Sequence, residues 1–160
     1  MSSSTIFRPI LLAEDNGNDI ELILAAFAEA KLANEIVVAQ HGEAALDFLY
    51  RRGAHAGRRS AQPALVLLDL KMPRVDGREV LRQMRQDPNL QTIPVVILTS
   101  SKEESDLMQT YELGANAYVV KPVAFDEFIN SVSKIGTFWA LLNELPTTTI
   151  GELEPSPDEP

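Results

Sequence analysis

The stretch ALVLLD at residues 64–69 decides the fold, because five apolar residues run without a break and end on the carboxylate of Asp69. An unbroken apolar run of this length, rather than an alternating one, is typical of a parallel strand covered on both faces. Four similar runs occur, at residues 10–13 (ILLA), 36–39 (IVVA), 94–98 (PVVIL) and 117–120 (AYVV). The sequence therefore predicts a sheet of five parallel strands.

The segments between these runs have helical spacing. The first places apolar side chains at positions i, i+3, i+4 and i+7, namely Ile20, Ile23, Leu24 and Phe27. Shorter versions of the pattern follow the next three runs, at Ala45, Leu46 and Leu49, at Val80, Leu81 and Met84, and at Leu107 and Tyr111. Repeated βα units predict an α/β fold: a doubly wound five-stranded parallel sheet flanked by five helices, with a long C-terminal helix.

Length and composition fit one globular domain. The chain has 160 residues, of which 45% are hydrophobic and 23% are charged, as in ordinary folded proteins. The last residues hold several acids and prolines and no basic side chain. We therefore expect a flexible N-terminus at residues 1–7, a folded domain at 8–145 and a disordered acidic tail at 146–160.

Composition also excludes several classes of function. The absence of cysteine excludes disulfides, thiolate metal sites and cysteine nucleophiles, and two histidines are too few for a histidine-rich metal centre. A net charge of −9 argues against nucleic acid as a partner. No apolar run is long enough to span a membrane, and the N-terminus lacks the pattern of a secretory signal, so we expect a cytoplasmic protein.

Carboxylates directly follow two of the apolar runs. Glu14 and Asp15 follow the first and Asp69 follows the third, so parallel strands bring all three to one edge of the sheet. Like charges 4 Å apart repel by about 4 kcal/mol per pair at an effective dielectric of 20, so either a cation lies among them or they take up protons. Oxygen ligands suit Mg²⁺, with Mn²⁺ as the alternative ion. Together with Lys121 after the fifth run, one divalent cation balances the three acids.

Two smaller features complete the predicted site. Thr99 and Ser100 end the fourth run and supply hydroxyl donors, and Lys121–Pro122 is a candidate cis peptide. Each residue alone carries little weight, because acids and threonines at strand ends are often only solvated. Their joint placement suits phosphoryl transfer, with Asp69 as the covalent acceptor and a metal and a lysine to neutralise the moving oxygens.

The sequence resembles the receiver domains of the response regulator family over residues 8–142. The resemblance is carried by LLAEDN at residues 11–16, LLDLKMPRVDG at 67–77, VILTS at 96–100 and YVVKP at 118–122. It implies a flavodoxin-like receiver fold and phosphorylation of Asp69 from a phosphohistidine of a sensor histidine kinase. It also implies that the protein is not an enzyme, beyond catalysing its own phosphorylation and dephosphorylation.

The same resemblance implies a role for each site residue. The implied roles are Mg²⁺ binding for Glu14, Asp15, Asp69 and the backbone carbonyl of Lys71, phosphoryl binding for Thr99 and Lys121, and switching for Thr99 and Tyr118. Glu14 stands where many relatives have aspartate, and its longer arm reaches the metal either directly or through water. His41 also departs from the family pattern, and we interpret it as a solvated turn residue.

The C-terminal segment is the predicted interface. Residues 125–145 make about 30 Å of helix, whereas a strand of five or six residues spans only about 17–20 Å, so the helix overhangs the sheet. Apolar side chains on the overhang favour a homodimer, with an interface that includes Tyr118, Phe138, Trp139 and Leu142. The alternative is a bend at Gly136 that lets these residues cap their own domain.

A narrower resemblance is to the small regulators paired with phytochrome-type histidine kinases. It is carried by the stand-alone format, DGREVL at residues 76–81, the long loop at 53–63 and the Phe138–Trp139 pair. Arg58 and Arg59 in that loop are either a contact patch or solvated charges. Two other functions stay open: a haloacid-dehalogenase-like phosphatase, which would need an acid where Lys71 stands, and a receiver-like scaffold that is never phosphorylated.

Overall fold

A parallel five-stranded sheet with the strand order β2-β1-β3-β4-β5 forms the centre of the protein. The structure is a computed structural model and describes residues 8–29, 31, 33–100, 103–121, 126, 127, 130 and 134. The strands are β1 (Ile10–Ala13), β2 (Ile36–Ala39), β3 (Leu65–Leu68), β4 (Val95–Thr99) and β5 (Ala117–Val120). The α-helices are α1 (Gly17–Glu29), α2 (Gly42–Tyr50), α3 (Gly77–Gln86) and α4 (Glu104–Glu112), and a 3₁₀ turn spans Gly53–His55.

Burial along the strands follows their place in the sheet. The three inner strands β1, β3 and β4 are buried at every position, whereas the edge strands β2 and β5 are mostly half-buried. Each predicted strand matches an observed one to within a residue at either end. The predicted doubly wound parallel sheet is therefore confirmed.

Two apolar layers cover the two faces of the sheet. On one face α1 packs Ile20, Ile23 and Phe27 against alternate side chains of β1 and β3. On the other face the buried sides of α2 and α3 meet the remaining side chains of the same strands. Each large side chain buried in this way contributes about 1.5–3 kcal/mol. The ion pair between Arg78 and Asp106 joins α3 to α4 on this second face.

His41 caps α2. Its Nδ1 accepts a hydrogen bond from the backbone N–H of Ala44 at 3.0 Å, and the side chain is half-buried. An N-cap acceptor satisfies one of the backbone donors left free at a helix start and contributes about 0.5–2 kcal/mol. His41 is therefore a capping residue, not the solvated turn residue that we expected from the sequence.

Arg58 braces the loop between α2 and β3. Its guanidinium lies 3.8 Å from the ring centroid of Phe48 and donates hydrogen bonds to the Phe48 carbonyl at 2.7 and 3.0 Å. Further hydrogen bonds run to Ser60, Ala61 and Gln62. Burial of the guanidinium, reinforced by the charge of Arg51, lowers the pKa of Arg58 to about 10. Arg58 thus fits neither a contact patch nor a solvated charge, whereas Arg59 is exposed.

Several sequence predictions lie outside the described residues. They are the terminal segments at residues 1–7 and 146–160, the Lys121–Pro122 peptide bond, the C-terminal boundary at 145, and the interface residues Phe138, Trp139 and Leu142. Of the predicted fifth helix, the described positions 126, 127, 130 and 134 are helical. Within the described part of the chain, no helix is both long enough and apolar enough to cross a bilayer.

Candidate functional site

The candidate site lies at the carboxyl ends of the inner strands. The order of the sheet reverses between β1 and β3, which is where open α/β sheets bind their ligands. Backbone hydrogen bonds continue one residue beyond the strands and fix the site. The N–H of Glu14 donates to Ala39 at 2.9 Å, and the N–H of Asp69 donates to Ala13 at 3.0 Å.

Three carboxylates meet at this edge, as the sequence predicted. Glu14, Asp15 and Asp69 each offer one oxygen, and these oxygens lie within 4.8 Å of one another. Glu14 and Asp69 are buried, whereas Asp15 is exposed. An all-oxygen donor set with one side open to solvent suits a hard cation such as Mg²⁺ or Mn²⁺, which keeps some of its waters. The residues present therefore fit a divalent metal ion.

Lys121 enters the cluster from the end of β5. Its Nζ lies 2.8 Å from Glu14 Oε1, 2.7 Å from Asp19 Oδ2 and 3.7 Å from Asp69 Oδ2. Burial alone would lower the pKa of Lys121, but the hydrogen bonds to Asp19 and Glu14 and the nearby charge of Asp69 outweigh it and raise the pKa. Lys121 therefore stays positively charged at neutral pH.

Asp19 is a site residue that sequence reasoning missed. It stands in the first turn of α1, and its backbone N–H donates to Asn16 Oδ1 at 3.0 Å. Asn16 thus caps α1 and fixes the first turn of this helix, which carries Asp19. An Asn-x-x-Asp spacing directly after an acidic strand end was the available signal. With Asp19 included, the site holds four carboxylates and one lysine, so one divalent cation no longer balances its charge.

The remaining predicted residues lie in β4, in β5 and in the loop after β3. Thr99 is buried at the end of β4, and its carbonyl accepts the N–H of Lys121 at 2.8 Å. Tyr118 lies in β5 beside Ile97 and packs, half-buried, on the face covered by α2 and α3. Lys71 is exposed in the loop after Asp69. The roles of Thr99, Tyr118 and Lys71 stay predictions.

Burial and the repulsion from Asp69 both raise the pKa of Glu14. Burial is the main effect, the charge of Asp69 adds to it, and contacts with Lys121 and the Asn16 N–H oppose it, so the pKa of Glu14 rises to about 7. The ordinary value is about 4.5. In the protein without metal, Glu14 is therefore partly protonated near neutral pH, which relieves the excess negative charge of the site.

The raised pKa of Glu14 predicts a pH-dependent stability of the metal-free protein. The folded state holds the Glu14 proton more tightly than the unfolded chain does. The proton therefore adds to the unfolding free energy in full below pH 4.5, and this stabilisation is lost as the pH rises through about 7. We compare wild type with Glu14→Gln in the presence of a chelator. Between about pH 5 and pH 8, the unfolding free energy of wild type should fall by roughly 2–3 kcal/mol more than that of Glu14→Gln. Urea denaturation of both proteins measures the difference, and parallel pH profiles would contradict it.

Comparisons with known proteins identify relatives of this chain. A family model described as the response regulator receiver domain matches residues 10–133. The curated protein response regulator Rcp1 of Synechocystis is 38% identical over 139 residues, which are 87% of this chain and 93% of that protein. A crystal structure of the Mn²⁺-bound form of Rcp1 superposes with a TM-score of 0.80 at 37% identity, covering 87% of this chain and 99% of that one.

Two further solved structures are similar over nearly their whole length. The phosphorylated cyanobacterial phytochrome response regulator RcpA has a TM-score of 0.82 and 38% identity, covering 88% of this chain and 99% of that one. The bacteriophytochrome response regulator AtBRR has a TM-score of 0.71 and 54% identity, covering 88% of this chain and 100% of that one. The match therefore extends over most of the chain and includes every strand of the sheet.

Proposed function

Because this chain belongs to the response regulator receiver family and is related to its phytochrome response regulators, we propose that Asp69 accepts a phosphoryl group from a sensor histidine kinase, of the phytochrome type. The family is a signalling family. The proposal makes the protein a single-domain response regulator that signals through a phosphorylation-sensitive surface.

The observation that carries the proposal is the separation of roles among the carboxylates. Lys121 makes its short hydrogen bonds to Glu14 and Asp19, whereas Asp69 lies 3.7 Å from the same ammonium. Asp69 is therefore close enough to be attracted by the lysine without being held by it. A carboxylate in this position can attack an incoming phosphorus atom while the lysine stabilises the phosphoryl oxygens.

The transfer exchanges one bond to phosphorus for another. A carboxylate oxygen of Asp69 forms a bond to phosphorus, the phosphorus–nitrogen bond to the kinase histidine breaks, and the imidazole leaves with the electron pair and takes up a proton. Glu14, Asp15, Asp69 and the carbonyl of Lys71 would hold Mg²⁺, or Mn²⁺. When bound, that ion supplies charge neutralisation for the phosphoryl oxygens.

Two features of the relatives support this chemistry. RcpA is described as phosphorylated and Rcp1 as Mn²⁺-bound, and this chain spans almost the full length of both. The acidic cluster and Lys121 supply the matching groups here. The phytochrome names of RcpA and AtBRR support a phytochrome-type kinase as the donor.

The signal would leave through β5 and the helices beside it. A phosphoryl group adds roughly −1.5 to −2 charge, which would draw the Lys121 ammonium and the Thr99 hydroxyl towards Asp69. Tyr118 would then turn into the space near Thr99. Moving the equilibrium between the inactive and the active conformation from 1:99 to 99:1 needs about 5.5 kcal/mol of differential interaction. Charge-assisted hydrogen bonds to the phosphoryl group can supply much of this energy.

The proposal predicts a metal-dependent covalent label on one residue. Wild-type protein incubated with Mg²⁺ and acetyl phosphate should acquire one phosphoryl group, and peptide mass spectrometry after borohydride reduction should map it to Asp69. The same sample with chelator is the control and should stay unlabelled. Continuous release of phosphate from phosphate esters would favour the phosphatase instead, and absence of label with any phosphodonor would favour the scaffold.

Homodimer formation remains a separate proposal. It rests on the apolar residues Phe138, Trp139 and Leu142 of the sequence, which lie outside the described residues. Tyr118, the described member of the predicted interface, is half-buried against its own domain. Phosphorylation of Asp69 does not depend on the dimer, so the two proposals stand or fall separately.

A further inference from the structure

The shortest ionic contact of Lys121 is with a helix, not with the strand-end acids. Asp19 Oδ2 lies 2.7 Å from Nζ, compared with 2.8 Å for Glu14 and 3.7 Å for Asp69. The side chain of Lys121 is 11% exposed and that of Asp19 is 25% exposed. This pair is more shielded from water than ordinary surface pairs, which contribute little.

The two short contacts of Lys121 also limit what the ammonium can reach. An ammonium has three N–H donors, and two of them point to Glu14 and Asp19. A phosphoryl group on Asp69 would compete with these two carboxylates for the same donors. Glu14 belongs to the metal cluster, whereas Asp19 belongs to α1 and lies outside that cluster.

We propose that Asp19 is a positioning residue that holds Lys121 towards α1 in the unphosphorylated protein and releases it when Asp69 carries a phosphoryl group. Asp19 does not touch the reacting atoms and acts through Lys121. The inference rests on the proposed function, because the competing anion is the aspartyl phosphate. The carboxylate of Asp19 thus opposes the capture of the phosphoryl group, and its removal favours the phosphorylated form.

The variant Asp19→Asn tests this inference through the kinetics of labelling. At a Mg²⁺ concentration that saturates each variant, we expect labelling by acetyl phosphate to be about fivefold faster and loss of the label to be slower. Breaking a contact of about 1 kcal/mol corresponds to that factor. Glu21→Gln is the matched control, because it removes the same charge from an exposed position of the same helix. It should label at the wild-type rate.

A double-mutant cycle separates positioning from a structural role. If Asp19 acts through Lys121, the effect of Asp19→Asn disappears in a Lys121→Met background. An effect of equal size in that background would overturn the inference, since it would show that Asp19 acts on the helix or on the overall charge. Equal labelling rates for Asp19→Asn and wild type would overturn it as well.

A crystal structure of Asp19→Asn gives a result that does not depend on phosphorylation. We expect the Nζ of Lys121 to move closer to Asp69 than the present 3.7 Å. An unmoved ammonium would contradict the holding role even if labelling changed. If wild-type protein is never labelled, the proposed function fails, and the crystal structure still decides whether Asp19 holds the lysine.

Discussion

Replacing Asp69 with asparagine is expected to abolish phosphoryl labelling completely while leaving the protein folded. The amide keeps the shape of the side chain but is too weak a nucleophile to form the acyl phosphate. The fold should tolerate the change, because Asp69 lies among like charges and contributes to the raised pKa of Glu14. Removing its charge relieves that repulsion. Intact-protein mass spectrometry after incubation with acetyl phosphate and Mg²⁺ measures the loss.

The matched control for this variant is Asp76→Asn. Asp76 lies in the same loop region and caps α3 by accepting the N–H of Glu79 at 3.1 Å. Asparagine caps a helix about as well as aspartate, so this variant should fold and take up label like wild type. Label that persists in Asp69→Asn would remove Asp69 from its proposed role, and mapping of that label would identify the residue that replaces it.

The strands and the meeting of three acids could be predicted because both follow from one rule. Parallel strands buried on two faces read as unbroken apolar runs, and their carboxyl ends share one edge. Once residues 10–13 and 65–68 pair in parallel, Glu14 and Asp69 have to be neighbours. Side-chain flexibility changes little, because the backbone N–H of each residue donates a hydrogen bond to a carbonyl of the adjacent strand.

The contacts that the sequence analysis missed are specific hydrogen bonds of individual polar side chains, which helix and strand patterns do not determine. Asp19 and Arg58 belong to segments that were predicted correctly, but their partners come from other parts of the chain. The partner of His41 is local, the N–H of Ala44, and histidine is an uncommon N-cap residue. Helical spacing also overstates burial at the edge of a sheet. Tyr111 continues the apolar pattern of α4 yet is 48% exposed, because α4 sits beside the edge strand β5.

Among the helices that the structure describes, α1, α2 and α3 begin with glycine, and the structure predicts different effects of alanine at these three positions. A Cβ on Gly42 would overlap the carbonyl of Val75 and lie 2.8 Å from its Cβ. A Cβ on Gly77 would overlap the carbonyl of Asp69 and lie 2.9 Å from the Cα of Leu70. A Cβ on Gly17 would meet nothing within 4 Å. The overlaps at Gly42 and Gly77 are both with backbone carbonyls, which cannot rotate away as a side chain can.

We expect Gly42→Ala and Gly77→Ala to lose about 3 kcal/mol or more of unfolding free energy, at the upper end of the cost of overpacking. Gly17→Ala, the matched control at the same helix position, should be neutral or more stable by up to about 1 kcal/mol. Urea denaturation in Mg²⁺ measures all three. Unchanged stability of Gly77→Ala would show that the loop from Asp69 to Gly77 does not pack as described.

Labelling separates the two damaging variants. Gly77→Ala must displace the backbone of Asp69 itself, because the Gly77 N–H is bonded to the Leu70 carbonyl at 2.9 Å and cannot withdraw without opening the loop. Gly42→Ala pushes instead on Val75, six residues farther along the chain. At a temperature where both remain folded, Gly77→Ala should therefore label more slowly with acetyl phosphate than Gly42→Ala. Equal rates would mean that the loop absorbs the strain before it reaches the phosphorylation site.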